Sequence, residues 1–352
     1  MMVLTGADWF AGLSLLLIGI VGVGLHLLEI AAMSKLTCRY VGFRFILSHS
    51  VADILLLLQF GIWPGMVVFT KNSFIPEFLR VPVHVYMDGV WYAMCYMSVV
   101  ISITRLMCVR YPIRYRQLSH RACFYISLAA WVLAFVQSGI IHSMPWFESL
   151  YYNEQGYGMT GDWKRHATEG TQTYYLTTSA LIVAGYVIFY STAAFTIVVR
   201  RNAILRITHP QPRASINSAR TRNSITSVAL TRRNQAIAVE IRLMIPCAAS
   251  AIIYIVGQIL INGAVGQGKW TGYAVMVIFS LQSLVSPILR VIFSETLRRE
   301  MYKVIFRRTG KFSTPLFTVS ELPSIFRPHY RNAPLRRAAA GNDGAAAVVA
   351  CL

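Results

Sequence analysis

The sequence predicts an all-α membrane protein: a seven-transmembrane helix bundle with its N-terminus outside, its C-terminus inside and a short amphipathic helix after the seventh span. Three observations carry this. The 352 residues are 55% hydrophobic and only 13% charged, with a mean hydropathy of +0.52, too apolar for a soluble chain of this length. Seven apolar stretches each supply the roughly 20 residues a helix needs to cross the hydrocarbon core. Of the 33 Lys and Arg residues, 28 fall in the first, third and fifth connections and the C-terminal tail, and 5 on the other side. Positive residues near span ends stay cytoplasmic, which fixes the orientation.

The expected spans run over 10–33, 43–69, 82–107, 122–144, 174–199, 237–262 and 270–293. Helices are the expected form because a backbone in lipid must satisfy its own hydrogen bonds, and the stretches are too long and too uniformly apolar for barrel strands. The first stretch lacks a basic start and is read as a span, not a cleavable signal peptide. After the seventh span, Leu297, Met301, Val304 and Ile305 recur at helical spacing against Arg298, Arg299, Lys303, Arg307 and Arg308. That pattern predicts an amphipathic helix over 294–308 on the inner leaflet. Residues 1–308 thus form the membrane domain, and the Pro-, Arg- and Ala-rich residues 309–352 a disordered cytoplasmic tail whose terminal Cys351-Leu352 is not a prenylation box.

A net charge of +19 follows the membrane topology and leaves no basic patch on a folded soluble module, so nucleic acid is not an expected partner. Membrane lipids are. None of the six cysteines falls in an outer loop, no CxxC pair or metal-ligand cluster is seen, and no N-x-S/T sequon occurs. Neither a disulfide framework nor a metal nor a cofactor is expected. The third inner connection, about 200–236, carries eight arginines among Ser, Thr and Asn, a composition that predicts disorder. The second outer loop, "PWFESLYYNEQGYGMTGDWKRHATEGTQ", is the longest outside segment and is expected to cap a pocket. Without a disulfide it is expected to be mobile, with Trp146 and Trp163 either on a ligand or at the bilayer surface.

Spacing then carries a resemblance. Thr104-Arg105-Leu106 ends the third stretch with Pro112 seven residues beyond the arginine; "LSHSVAD" places Asp53 in the second; Trp131 lies in the fourth; "SPILR" supplies Ser286, Pro287 and Arg290 in the seventh. In that order the chain resembles the rhodopsin-like G-protein-coupled receptors, whose third helix ends in Asp-Arg-Tyr and whose seventh carries Asn-Pro-x-x-Tyr. It departs from them in lacking the outer cysteine pair, in having Leu25 or His26 where the first-helix asparagine falls, and in the position of Pro246. With "FRFILSHSVAD" and "SPILRVIFSETLRREMYK", these departures look like the nematode-type serpentine chemoreceptors of classes x and t, over about residues 10–308.

The resemblance implies a chemosensory receptor in the plasma membrane, by family habit in a sensory cilium, that binds an extracellular small molecule or peptide and activates a heterotrimeric G protein. It implies that Arg105 rests in the cytoplasmic mouth and meets the G protein when the sixth helix swings out. An intramembrane arginine costs about 3 kcal/mol on insertion scales unless paired or hydrated. With Thr104 replacing the family's acid, Glu240 is the expected partner. The plain alternative is a positive-inside anchor. Asp53 is expected in a polar setting of Ser98, Gln282, Ser283 and Ser286, as a water-linked switch or a helix–helix hydrogen bond; Met94 in one expected serine slot argues against sodium. Glu29 and Arg290, at similar depth on neighbouring helices, are expected to pair.

Ligand recognition is expected in the outer third of the bundle, from Asp88, Trp91, Tyr92, Tyr254, Gln258 and Tyr273. Asp88 falls one position from the slot amine receptors use, and one residue turns a helix face by about 100°, so it faces either the ligand or a neighbouring helix. A transporter or channel is the alternative reading, but it predicts internal repeats or interrupted midplane helices, and neither is seen. An enzyme would need converging catalytic groups, whereas His26, His49 and His142 lie on different helices and read as packing residues.

Overall fold

Length and apolarity set the architecture. In the computed structural model, which describes residues 4–208, 245–259 and 268–306, the helices α1 (Gly6–Leu36), α4 (Arg80–Arg110), α6 (His120–His142), α8 (Thr171–Thr208) and α10 (Lys269–Phe293) are each long and apolar enough to span a bilayer. So is the composite of α2 (Val41–Leu57), a π-turn (Leu58–Ile62) and α3 (Trp63–Thr70). The sixth expected span is represented by α9, Ile245–Ile259, shorter because its flanks lie outside the described residues. Short helices α5 (Pro112–Arg116) and α7 (Trp163–Thr168) lie in connections, and α11 (Glu295–Phe306) follows α10. Met1–Tyr302 makes one compact unit; of the second, Lys303–Leu352, only the last residues of α11 are described. Most of the expected basic third connection, the expected tail and Glu240 fall outside the described residues.

Most observed helices overrun the expected spans at one or both ends, because charged end residues such as Arg80 and Arg110 continue the backbone helix past the apolar core. The aliphatic side chains that α1 leaves exposed, Leu13, Leu17, Ile20 and Leu27, are a lipid-facing stripe. Its opposite face carries glycines: a Cβ on Gly61 of the π-turn would lie 3.0 Å from Gly19 Cα, so the two backbones touch only because both lack one. At the start of α1 the Thr5 side chain and the Asp8 carboxylate form a capping box, and Asp8 also holds Lys71 at 2.5 Å beyond the end of α3.

The centre of the bundle is α4, which packs against α2, α6 and α8. Trp131 of α6 donates its indole N–H to Ser48 of α2 at 3.1 Å. Tyr186 of α8 donates to the Cys95 carbonyl at 3.2 Å, and Ser179 of α8 meets Gln258 of α9 at 3.1 Å. At one end of the bundle Arg44 donates to the carbonyls of Thr37 and Leu118, tying two connections together. This is the end where Arg105 lies. At the same end Ser294 accepts the Leu297 N–H and opens α11, which buries Leu297 and Met301 as its amphipathic pattern requires.

The connection after α6, expected to be mobile, carries secondary structure. Tyr151–Tyr152 and Met159–Thr160 pair antiparallel, and α7 follows, capped by Asp162. The π-turn explains how this hairpin is fastened. In a π-turn a carbonyl takes its N–H from five residues on, as Leu58 does from Trp63. For Gln59 that residue is Pro64, which has none. The Tyr152 hydroxyl donates to the Gln59 carbonyl instead, with Tyr152 almost fully buried. Tyr152→Phe should strand that carbonyl and cost about 1–3 kcal/mol. Thermal unfolding of the purified chain checks it: the midpoint should fall without loss of helix content, and an unchanged midpoint would refute the fastening role.

Candidate functional site

Two polar regions lie along α4, one toward each end. Toward the hairpin end is a cavity of about 320 Å³ walled by α4, α9, α10 and the hairpin connection. A cavity of this size sits at the small end of ligand sites, roughly 300–1,000 Å³. Three of the expected ligand residues line it: Asp88, Trp91 and Gln258. Trp163 lines it too, while Trp146 packs on Phe147 and Tyr174.

The other three candidates lie away from the cavity. Tyr92 is fully buried within the core and does not line the cavity. Tyr254 lies deeper, against Cys95 and Tyr186. Tyr273 faces α1, sharing a 2.8 Å hydrogen bond with Ser14. Helix rotation and tilt decide these faces, and residue type does not report them. In their place the cavity takes His84, Met87, His166 and Tyr175. Of these, His84 was the most legible, standing one turn before Asp88 on the same face.

Asp88 faces both the cavity and its neighbours. It is 8% exposed, accepts the Tyr175 hydroxyl at 2.5 Å, and has His84 and His142 each at 3.7 Å. Burial holds His166, on α7, below the usual imidazole range, partly offset by Glu148. The burial favours the uncharged ring at the cavity wall.

Deeper along α4 is a polar cluster between α1, α2 and α10. Arg290 Nε is 2.7 Å from Glu29 Oε1 and its Nη2 is 3.0 Å from Oε2, a two-pronged contact, with Glu29 0% and Arg290 4% exposed. Ser50 donates to Glu29 at 3.2 Å. Arg290 also approaches Asp53 at 3.8 Å. Asp53 lines a cavity of about 40 Å³ together with three of the four expected residues, Ser98, Gln282 and Ser286. Its nearest partner is His49 at 2.9 Å, one helical turn back, with His26 at 3.8 Å. Ser98 reaches it only through His49, at 2.7 Å, and Ser283 through the His26 ring, which meets the Ser283 carbonyl at 3.0 Å. Ser286 also meets Ser250, and the cavity that Asp53 shares with Gln282 has room enough for water.

The histidines are therefore not scattered: His26 and His49 meet at Asp53, and His84 and His142 at Asp88. Sequence reasoning could not give the rotation of α1 and α2, or of α4 and α6, or the distance between them.

Arg105 is 1% exposed, one of the largest fully buried side chains, near the end of α4. Thr104 turns its hydroxyl to the Ile101 carbonyl at 2.8 Å. Pro112 opens α5, where its missing N–H costs nothing, and Pro287 lies inside α10. Glu240, expected beside Arg105, lies outside the described residues.

This arrangement of helices is that of the rhodopsin-like G-protein-coupled receptors: the crystal structure of squid rhodopsin superposes with a TM-score of 0.65 over 87% of this chain and 88% of that one, at 13% identity. The model of the family described as serpentine type 7TM GPCR chemoreceptor Srx matches residues 16–260. The chain belongs to that family, a class of receptors and not of enzymes. No curated protein matches it.

Proposed function

We propose that the chain is a chemosensory receptor of the plasma membrane, with the hairpin end outside, that binds a small extracellular molecule in the 320 Å³ cavity and activates a heterotrimeric G protein at the Arg105 end. The observation that carries the reading is the placement of both regions on one helix. Asp88 and Trp91 line the cavity, and Arg105 is buried seventeen residues farther along α4 than Asp88, about 25 Å at 1.5 Å per residue. A ligand that changes how α4 packs against α8 and α9 therefore bears on both ends. The cavity volume favours a small molecule over a peptide. The lysine and arginine distribution supports the orientation, with the N-terminus outside and the tail, expected beyond residue 308, in the cytoplasm.

Between the two regions, Asp53 and the Glu29–Arg290 pair form the element that would repack on activation. Arg290 brings a fixed positive charge within 3.8 Å of Asp53, which would repel a sodium ion there. Water is the better-suited occupant of the adjoining cavity.

The test is a screen of volatile and water-soluble small molecules on cells bearing the chain, with a calcium or cyclic-nucleotide readout. An active compound should lose at least about tenfold in potency with Trp91→Ala, the loss expected when an aromatic anchor is removed from a ligand pocket. A compound whose potency is untouched by Trp91→Ala and by Gln258→Ala would count against the cavity. Ligand-driven solute flux without nucleotide exchange would favour a transporter.

A further inference from the structure

We propose that His84, Asp88 and His142 form a binding site for a transition-metal ion of the zinc and copper class, at the wall of the 320 Å³ cavity. The site goes beyond receptor function and does not depend on it.

The geometry comes from two helices. His84 and Asp88 stand one turn apart on α4, so both side chains lie on one face. His142 is the last residue of α6. Close packing brings it into range: a Cβ on Gly89 would lie 2.6 Å from the Phe135 ring, so only glycine lets α6 settle this near, and Ser138 donates to the Val85 carbonyl at 2.7 Å one turn away. One ligand atom from each residue can be chosen so that all three lie within 4.8 Å of one another. Asp88 Oδ1 is 3.7 Å from His84 Nε2, Asp88 Oδ2 is 3.7 Å from His142 Nε2, and His142 Nε2 is 3.0 Å from His84 Nδ1. Donors bonded at 2.0–2.1 Å to a tetrahedral ion stand roughly 3.3–3.4 Å apart; the 3.0 Å spacing of the two histidines is near that edge, and a small turn of the Asp88 carboxylate would bring one of its oxygens to the same ion.

Hydrogen bonding points the lone pairs the same way. His142 Nδ1 lies 2.9 Å from the Ser138 carbonyl, which can only accept, so Nδ1 carries the ring hydrogen and Nε2 turns its lone pair to the cluster. A histidine whose far nitrogen donates to a carbonyl is the usual second-shell arrangement of metal ligands. His84 Nδ1 accepts the Leu150 N–H at 3.1 Å, which engages its lone pair, and the same nitrogen lies 3.0 Å from His142 Nε2. Two acceptor nitrogens 3.0 Å apart beside a buried carboxylate are a favourable place for a positive charge, and among the described residues no lysine or arginine pairs with Asp88. A third imidazole, His166, is 5% exposed, has no hydrogen-bond partner at Nδ1 and lines the same cavity. Two imidazoles and one carboxylate suit zinc, copper or nickel, whereas calcium and magnesium prefer all-oxygen shells. Entry of an ion at His84 Nδ1 would displace the Leu150 N–H, which links occupancy to the seat of the hairpin.

The experiment uses the full chain, tag removed and carrying Cys38→Ser, in phosphatidylcholine nanodiscs. Zn²⁺ is titrated against a chromophoric chelator, and Cu²⁺ is followed by electron paramagnetic resonance. The expected result is one ion per chain, with affinity reduced at least about tenfold by His142→Gln and by Asp88→Asn. The Cu²⁺ spectrum should show coupling to two or more imidazole nitrogens, with one fewer in His142→Gln. Asp88→Asn keeps an acceptor for Tyr175 and so tests the site should the histidine variant fold poorly. Zn²⁺ affinity equal in the parent and the His84→Gln/His142→Gln double variant overturns the proposal, as does a Cu²⁺ spectrum without imidazole coupling. Because binding is read on the isolated chain, its failure is distinct from failure of G-protein coupling.

Discussion

Replacing Arg105 with alanine should abolish ligand-driven nucleotide exchange on an added heterotrimeric G protein while leaving surface expression intact. The side chain is 1% exposed at the end of α4, so at rest it is withheld from a cytosolic partner. A buried arginine at the centre of an interface that forms only on activation is the type of residue whose truncation costs 2 kcal/mol or more, about thirtyfold in coupling. Arg105→Lys should recover only part of the loss, because lysine keeps the charge but not the planar fork of donors. An anchor that merely obeys the topology rule would behave otherwise: lysine would serve fully, and alanine would lower expression and leave exchange per receptor unchanged.

The second large effect is expected at the Glu29–Arg290 pair. Both side chains are almost wholly enclosed and meet at 2.7 Å, with Ser50 and Asp53 close by. Removing one partner of such a pair leaves an uncompensated buried charge, at a cost of about 3–5 kcal/mol. Glu29→Gln and Arg290→Gln should each lower thermal stability and surface expression sharply. Glu29→Gln with Arg290→Met should recover much of the loss, since the remaining partner is no longer charged. If both single variants express and signal as the parent does, the pair carries neither stability nor switching. Asp53 makes Arg290→Gln the worse single change, because that guanidinium faces two carboxylates.

The fold was legible because crossing a bilayer imposes length and apolarity on every segment, and those are properties of sequence. The pairing of Glu29 with Arg290 was legible for a related reason: depth along a span can be counted, and a charge at depth needs a partner. Rotation about the helix axis cannot be counted in the same way. Trp91 and Tyr92 are adjacent, yet the first lines the cavity and the second lies within the core. Tyr273 looked equally suited to a ligand and faces α1. The histidine clusters needed one more quantity, the distance between helices, which Gly89 sets for α4 and α6 through a contact with Phe135 that no periodicity announces. The fastening of the hairpin was hidden because it depends on a backbone carbonyl left over by Pro64.

That fastening has a consequence for the surroundings in which the molecule can work. Where many seven-helix proteins staple their lid with sulfur, this one closes it with a phenol on a leftover peptide oxygen, and no disulfide joins the described cysteines. Such a latch is blind to reductants: fluids rich in thiols, which would unpick a cystine, leave it shut. What would open it is a group that competes for that oxygen or draws the ring away.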